Sequence, residues 1–161
     1  MDEGKVSFAR SGDDLALRFE GSIRYTLAHG LDTFLDQTFT AQPPKSVCID
    51  LNATQSIDST GIGLLAKITR LLAVAGGGKP VIFSTNDEIN ELLSALCLDR
   101  YCLMVAGSAQ MSADEVVPRI EPDEAGMRQT ILDAHRTLCE LSTGNREQFQ
   151  SVVDALTREQ N

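Results

Sequence analysis

The side chains best suited to chemistry lie in one stretch, Ile57-Asp58-Ser59-Thr60-Gly61-Ile62-Gly63. It follows the apolar run Val47 to Leu51 and leads into a strongly periodic segment, so it should open a helix, with Asp58 capping the first turn. Two hydroxyls would then stand at a helix N-terminus with glycines around them. A phosphate placed there would meet unpaired N–H groups and the positive end of the helix dipole. Such a phosphate is either part of a bound nucleotide or a group attached to Ser59, and the residues favour Ser59 as a regulatory phosphorylation site. Thr60, Gly63, Lys67 and Arg70 fall at i, i+3, i+7 and i+10, opposite Leu64 and Ile68. They predict a solvent stripe, small near Ser59 and basic further on, that a protein partner could approach closely.

Competing chemistries fit less well. Gly61-Ile62-Gly63-Leu64-Leu65-Ala66 matches the dinucleotide fingerprint literally, but that fingerprint needs its first glycine directly after a strand. The clear strand here ends near Leu51, ten positions earlier, and no acid stands at Gly78 to Val81 to hold a ribose. Gly78-Lys79 runs into Pro80 rather than Ser or Thr and is a turn, not a phosphate loop. Asp50 in a strand, with Lys79-Pro80-Val81-Ile82 further on, raises a receiver fold, but its clustered acids are missing: Asp13 and Asp14 lie in a hairpin turn. Ser56 and Ser59 sit in no nucleophile elbow, and His29 and His135 lie far apart. His29 falls off the apolar stripe of its helix and is expected in solvent. Cys48, Cys97, Cys102 and Cys139 form no CxxC pair and read as packing residues, so neither a metal site, a cofactor nor an enzyme is indicated.

The elements that must position these residues follow from periodicity. Val6 to Ala9 and Leu15 to Phe19 alternate around Ser11-Gly12-Asp13-Asp14, a hairpin ended by Gly21-Ser22. Leu27, Leu31, Phe34, Leu35 and Thr38 mark a helix closed by Pro43-Pro44; Gly30 inside it costs about 1 kcal/mol relative to Ala, so packing must hold it. Ser46 to Leu51 reads as a central strand covered on both faces. Leu64, Leu65, Ile68, Leu71, Leu72 and Ala75 form the apolar face of the next helix, stopped by Gly76-Gly77-Gly78. Pro80 to Phe83 is a strand. Thr85 and Glu88 have capping-box spacing before a third helix, and Cys102 to Val105 is a short strand. From Ala106 periodicity fades. Met127, Ile131, Ala134, Leu138 and Leu141 restore it, Gly144-Asn145 breaks it, and Asn145 should cap a last helix with Phe149, Val152, Val153 and Leu156. The result is a mixed α/β sheet covered by helices, with an αα-hairpin extension. The expected divisions are a domain at 1–106, a linker or edge segment at 107–122, and a helical hairpin at 123–161. The hairpin should stabilise the domain or mediate self-association.

The totals narrow the partners. With 161 residues and 42% hydrophobic content the chain can build one ordinary core. Aromatics at 5% offer no stacking platform, and a net charge of −9 disfavours nucleic acid and anionic membrane. No apolar run is long enough for a membrane span, and Met1-Asp2-Glu3 begins no signal-peptide core, so a cytoplasmic, reduced protein is expected.

Asp50-Leu51 in a strand, the helix-opening Asp58-Ser59-Thr60-Gly61-Ile62-Gly63 and the later Lys79 to Phe83 strand together resemble the STAS domain of bacterial anti-sigma factor antagonists. The likeness runs from about Val6 to Val105. It implies a STAS-like fold and a partner-switching role with Ser59 as phosphoacceptor and Asp58 as the acid beside it. Unmodified, such a protein binds an anti-sigma factor, often itself a serine kinase, and so frees a sigma factor for transcription. Phosphorylated, it lets go, and a metal-dependent serine phosphatase resets it. On this view Asp58 would turn the phosphate outward into the interface, while the N–H groups of Thr60, Gly61 and Ile62 tolerate it without refolding. Ser56, Thr54 and Thr60 also crowd the site, which leaves a second acceptor open. The alternatives are a nucleotide-binding or phosphotransfer protein using the Gly61–Gly63 loop, and a structural STAS module that does not switch.

Overall fold

The computed structural model describes residues 3–160. Strands β1 (Lys5–Ser11) and β2 (Asp14–Ile23) form the antiparallel hairpin, with Gly12 at φ +60° in its turn. Helix α1 (Tyr25–Ala41) leads to β3 (Ser46–Ile57), α2 (Ser59–Val74) to β4 (Val81–Phe83), and α3 (Asp87–Ala95) with a short 3-10 turn to β5 (Leu103–Val105). A last strand, β6 (Glu115–Val116), precedes α4 (Glu124–Leu141) and α5 (Thr143–Gln160). The six strands lie in the order β5-β4-β3-β2-β1-β6, parallel from β2 through β5 and antiparallel at β1 and β6.

Each crossover steps one strand in the same direction, from β2 to β3, β4 and β5. Right-handed connections therefore put α1, α2 and α3 on one face of the sheet. Strand alternation agrees: Leu15, Leu17 and Phe19 of β2 and Val47, Ile49 and Leu51 of β3 are buried. Their neighbours Ala16, Arg18, Glu20 and Cys48 are half-buried. β3, expected to be covered on both faces, has buried Asp50 and half-buried Cys48 on its second face, which is more lightly covered than the first. Its second face meets the irregular chain after β5: Arg18 donates to the Met111 carbonyl (2.8 Å) and Asn52 to that of Gly107 (2.9 Å). Asp50, the residue behind the receiver idea, is buried and paired with Arg18 at 3.4 Å.

Two strands outrun their sequence signal. β2 continues past Gly21, which takes φ +77° beside a register shift, so that glycine bends the strand instead of ending it. β3 runs six residues beyond Leu51, with Asn52, Ala53, Gln55 and Ser56 exposed. Thr54 is buried there and donates to the Phe19 carbonyl at 2.8 Å. After β5 the chain wraps the hairpin edge through β6 and returns to the helical face. Gly30 explains itself at that point: a Cβ would sit 2.4 Å from the Pro118 carbonyl oxygen.

α4 and α5 then lie over the helical layer, with α4 against α2 and α1. The caps differ from expectation. Asn86, not Thr85, caps α3 by accepting from Glu88 and Ile89, while Thr85 donates to Asn52. The break between the last helices falls at Ser142, whose hydroxyl accepts from the Asn145 N–H. Asn145 lies inside α5, fully buried, and its amide donates to the carbonyls of Leu96 (2.8 Å) and Leu138 (3.0 Å).

Candidate functional site

β3 ends at Ile57 and α2 begins at Ser59, so Asp58 is the hinge between them. One oxygen of its carboxylate accepts from the Gly61 N–H at 2.9 Å, and the other from the Tyr25 N–H at 2.8 Å, capping α2 and the start of α1 together. The Asp58 carbonyl accepts from Ile62. The N–H groups of Gly61 and Ile62, expected to greet a phosphate, are therefore already engaged. The anion at this helix start is the protein's own carboxylate.

Ser59 is half-buried, and its Oγ lies 2.9 Å from Nε2 of His135 on α4. His135 is buried, edge-on to Phe149, and its Nδ1 lies 2.7 Å from the Ile131 carbonyl. A carbonyl only accepts, so Nδ1 carries the proton, and in the neutral ring Nε2 accepts from the Ser59 hydroxyl. Sequence reasoning missed this histidine. Its signal was its place four residues after Ile131, on the apolar stripe of the tail.

The predicted solvent stripe is not in solvent. Thr60 is buried, and Gly63 is the crossing point of α2 and α4: a Cβ there would lie 2.5 Å from the Ala134 carbonyl oxygen. Lys67 reaches Asp32 (2.6 Å) and Asp36 (2.7 Å) of α1. Burial by itself would lower its pKa, but the bonds and charges of those two carboxylates outweigh burial and hold it above the ordinary lysine value. Arg70 alone stays exposed, pairing with Glu140 of α4 at 3.2 Å. His29, expected in solvent, is half-buried and meets Thr130 Oγ1 of α4 at 2.9 Å. The stripe prediction failed because it treated α2 as having two partners, sheet and water, while α4 supplies a third. Of the neighbouring hydroxyls, Thr54 and Thr60 are buried and Ser56 is exposed.

The strand-to-glycine distance held against a dinucleotide also changes, because β3 reaches Ile57, four residues before Gly61. The glycines are nevertheless closed to a pyrophosphate: the Cβ position of Gly61 is filled by Ile57 and Ile23, and that of Gly63 by Ala134. Among the described residues no cluster of His, Cys, Asp and Glu could hold a metal ion, and no helix is long and apolar enough to cross a membrane.

Comparison with known proteins agrees with this architecture. The STAS domain family matches residues 5–111, ending short of α4 and α5. The fold resembles that of the anti-sigma factor antagonist SpoIIAA in its unphosphorylated form, with a TM-score of 0.55 at 10% identity, over 64% of this chain and 89% of the other. It also resembles the protein TM1081, with a TM-score of 0.53 at 21% identity, over 61% and 78%. No curated protein gave a significant sequence match. With a family match across most of its length and a mixed sheet and helix order of the same kind, the chain belongs to the STAS domain family.

Proposed function

We propose that this chain is an anti-sigma factor antagonist that works by partner switching. Unmodified, it binds an anti-sigma factor that is itself a serine kinase. Phosphorylated on Ser59, it releases that partner, and a metal-dependent serine phosphatase restores it. The surface assigned to the partner is the start of α2, with Ser59, Thr60 and Gly63, extended by Lys67 and Arg70, of which Thr60 and Gly63 become accessible only when α4 moves away.

The observation that carries this reading is the position of Ser59. It is the first residue of α2, directly after a capping aspartate whose two oxygens are already bonded, so its hydroxyl is not needed for the cap. A fold relative named as an anti-sigma factor antagonist in its unphosphorylated form supports the same role. In the transfer, the Ser59 oxygen bonds to the γ-phosphorus of ATP, the β,γ-anhydride breaks, ADP leaves, and the serine proton passes to the kinase's general base. The product carries about −1.5 to −2 charges where a hydroxyl had been.

The test uses the full chain with ATP and a kinase fraction from cells that express it. Mass spectrometry should find one phosphate, on Ser59, and none on Ser59→Ala. Equal labelling of Ser59→Ala, or phosphate confined to Ser56, would reject the assignment.

A further inference from the structure

We infer that the α4–α5 hairpin is a built-in cover for the Ser59 face, and that a closed hairpin and a phosphate on Ser59 exclude each other. This regulation rests on the partner-switching reading, but its structural half is independent of any partner.

Three observations converge. First, the surface that a partner would need is occupied within the same chain: α4 crosses α2 at Gly63 with no room for even a methyl group, because the Ala134 carbonyl lies against it. Second, the Ser59 hydroxyl is engaged by His135 at 2.9 Å, so α4 stands in the path of a phosphoryl donor. Third, the site has no place for the product. The Gly61 N–H is held by Asp58, and a phosphate on Oγ would face the Asp58 carboxylate on one side and α4 on the other. A cleft of about 190 Å³ opens further along between α2 and α4, but two of its three cations are paired with carboxylates, and the third, Arg136, is on α4 itself and donates to the Thr157 hydroxyl at 3.3 Å. Lys67 is held by Asp32 and Asp36, Arg70 by Glu140, and Asp133 adds another negative charge from α4.

On the Ser59 side the polar contacts of the hairpin are Ser59–His135, His29–Thr130 and Arg70–Glu140, while Leu132, Leu138 and Phe149 share the buried apolar core, so opening must expose apolar surface as well as break these bonds. Kinase and partner would both meet Ser59 only in the open form, so each competes with α4, and apparent affinity falls by the open fraction. Once phosphorylated, the chain would hold the hairpin open, so re-covering the face requires the phosphatase first.

The experiment compares hydrogen exchange in the full chain with serine and with phosphoserine incorporated at position 59 during synthesis. Amides of 124–160 should exchange about tenfold faster or more in the phosphoserine chain, while β2, β3 and α1 keep their protection. His135→Ala, which removes the latch without adding charge, should move the same amides in the same direction by less. Unchanged protection of 124–160 in the phosphoserine chain would overturn the inference. So would loss spread evenly over sheet and hairpin, since the hairpin would then be part of one cooperative core. No kinase enters this measurement, so a failed labelling of Ser59 by cell fractions would count against the proposed function and not against the cover.

Discussion

Asp58 serves two helices with one carboxylate, and that makes it a structural residue as well as a neighbour of Ser59. Asp58→Ala should remove both bonds and cost about 2 kcal/mol, within the range measured for lost caps. Asp58→Asn should cost less, because its one remaining oxygen can still accept from Gly61 while its NH2 group faces the Tyr25 donor. Chemical denaturation of the three proteins checks the order, and equal stability of wild type and Asp58→Ala would refute it. Ser59 and His135 form the other residue-scale unit. The imidazole orientation follows from the Ile131 carbonyl, so replacing His135 by Gln, which can still accept from Ser59, should disturb the hairpin less than Ala.

At the scale of elements, the decisive contact is helix on helix. Gly63 sits where α2 meets Ala134, and Gly63→Ala forces a methyl group against a carbonyl at 2.5 Å. Overpacking costs about 1–3 kcal/mol, against a gain of about 1 kcal/mol from better helix propensity. The expected outcome is faster hydrogen exchange in α4 with little change in the sheet; slower exchange there would show that α4 shifts freely to make room. Asn145 anchors the far end of the hairpin by bonding Leu96 after α3 and Leu138 on α4. Asn145→Ala leaves two carbonyls short of a donor and should cost about 2–3 kcal/mol, and Asn145→Asp more, because it places a buried charge beside them. Thermal melts of the two variants give the comparison. Lys67 belongs to the same scale: its charge ties α2 to α1 through Asp32 and Asp36, a use that its spacing on α2 could not show.

Over the whole molecule, burial sets a limit at high pH. Burial is the main cause that pushes the Cys102 thiol from its ordinary 9.0 up to about 12, with Lys79 opposing and Asp99 adding. Burial likewise raises the thiols of Cys48 and Cys139. Between pH 9 and 12 the unfolded chain therefore binds fewer protons than the folded one, and stability falls as pH rises. Melting temperature should drop between pH 8.5 and 10.5, and Cys102→Ala should drop less steeply. The fold itself was largely readable in advance. Alternation in β1 and β2, the run Val47 to Leu51 and the heptad-like spacing of α2 encode local structure, because side chains of a strand or helix repeat on one face whatever lies beyond. The motif Asp58 to Gly63 marked the candidate site for the same reason, since a cap and a helix start are local events. Cap positions at Asn86 and Ser142 slipped by one to three residues where several polar side chains competed for the same N–H groups. What lies against α2 was not readable. A helix with one apolar face and one small polar face is equally suited to water, a second chain or its own tail. The choice is made by Gly63 meeting Ala134 and Ser59 meeting His135, contacts between residues 71 and 76 positions apart. The sequence alone determined a STAS-type sheet with a serine at the head of its central helix; only the tertiary structure decided that this serine is covered, because cover is a property of close approach between distant segments and leaves no period in either one.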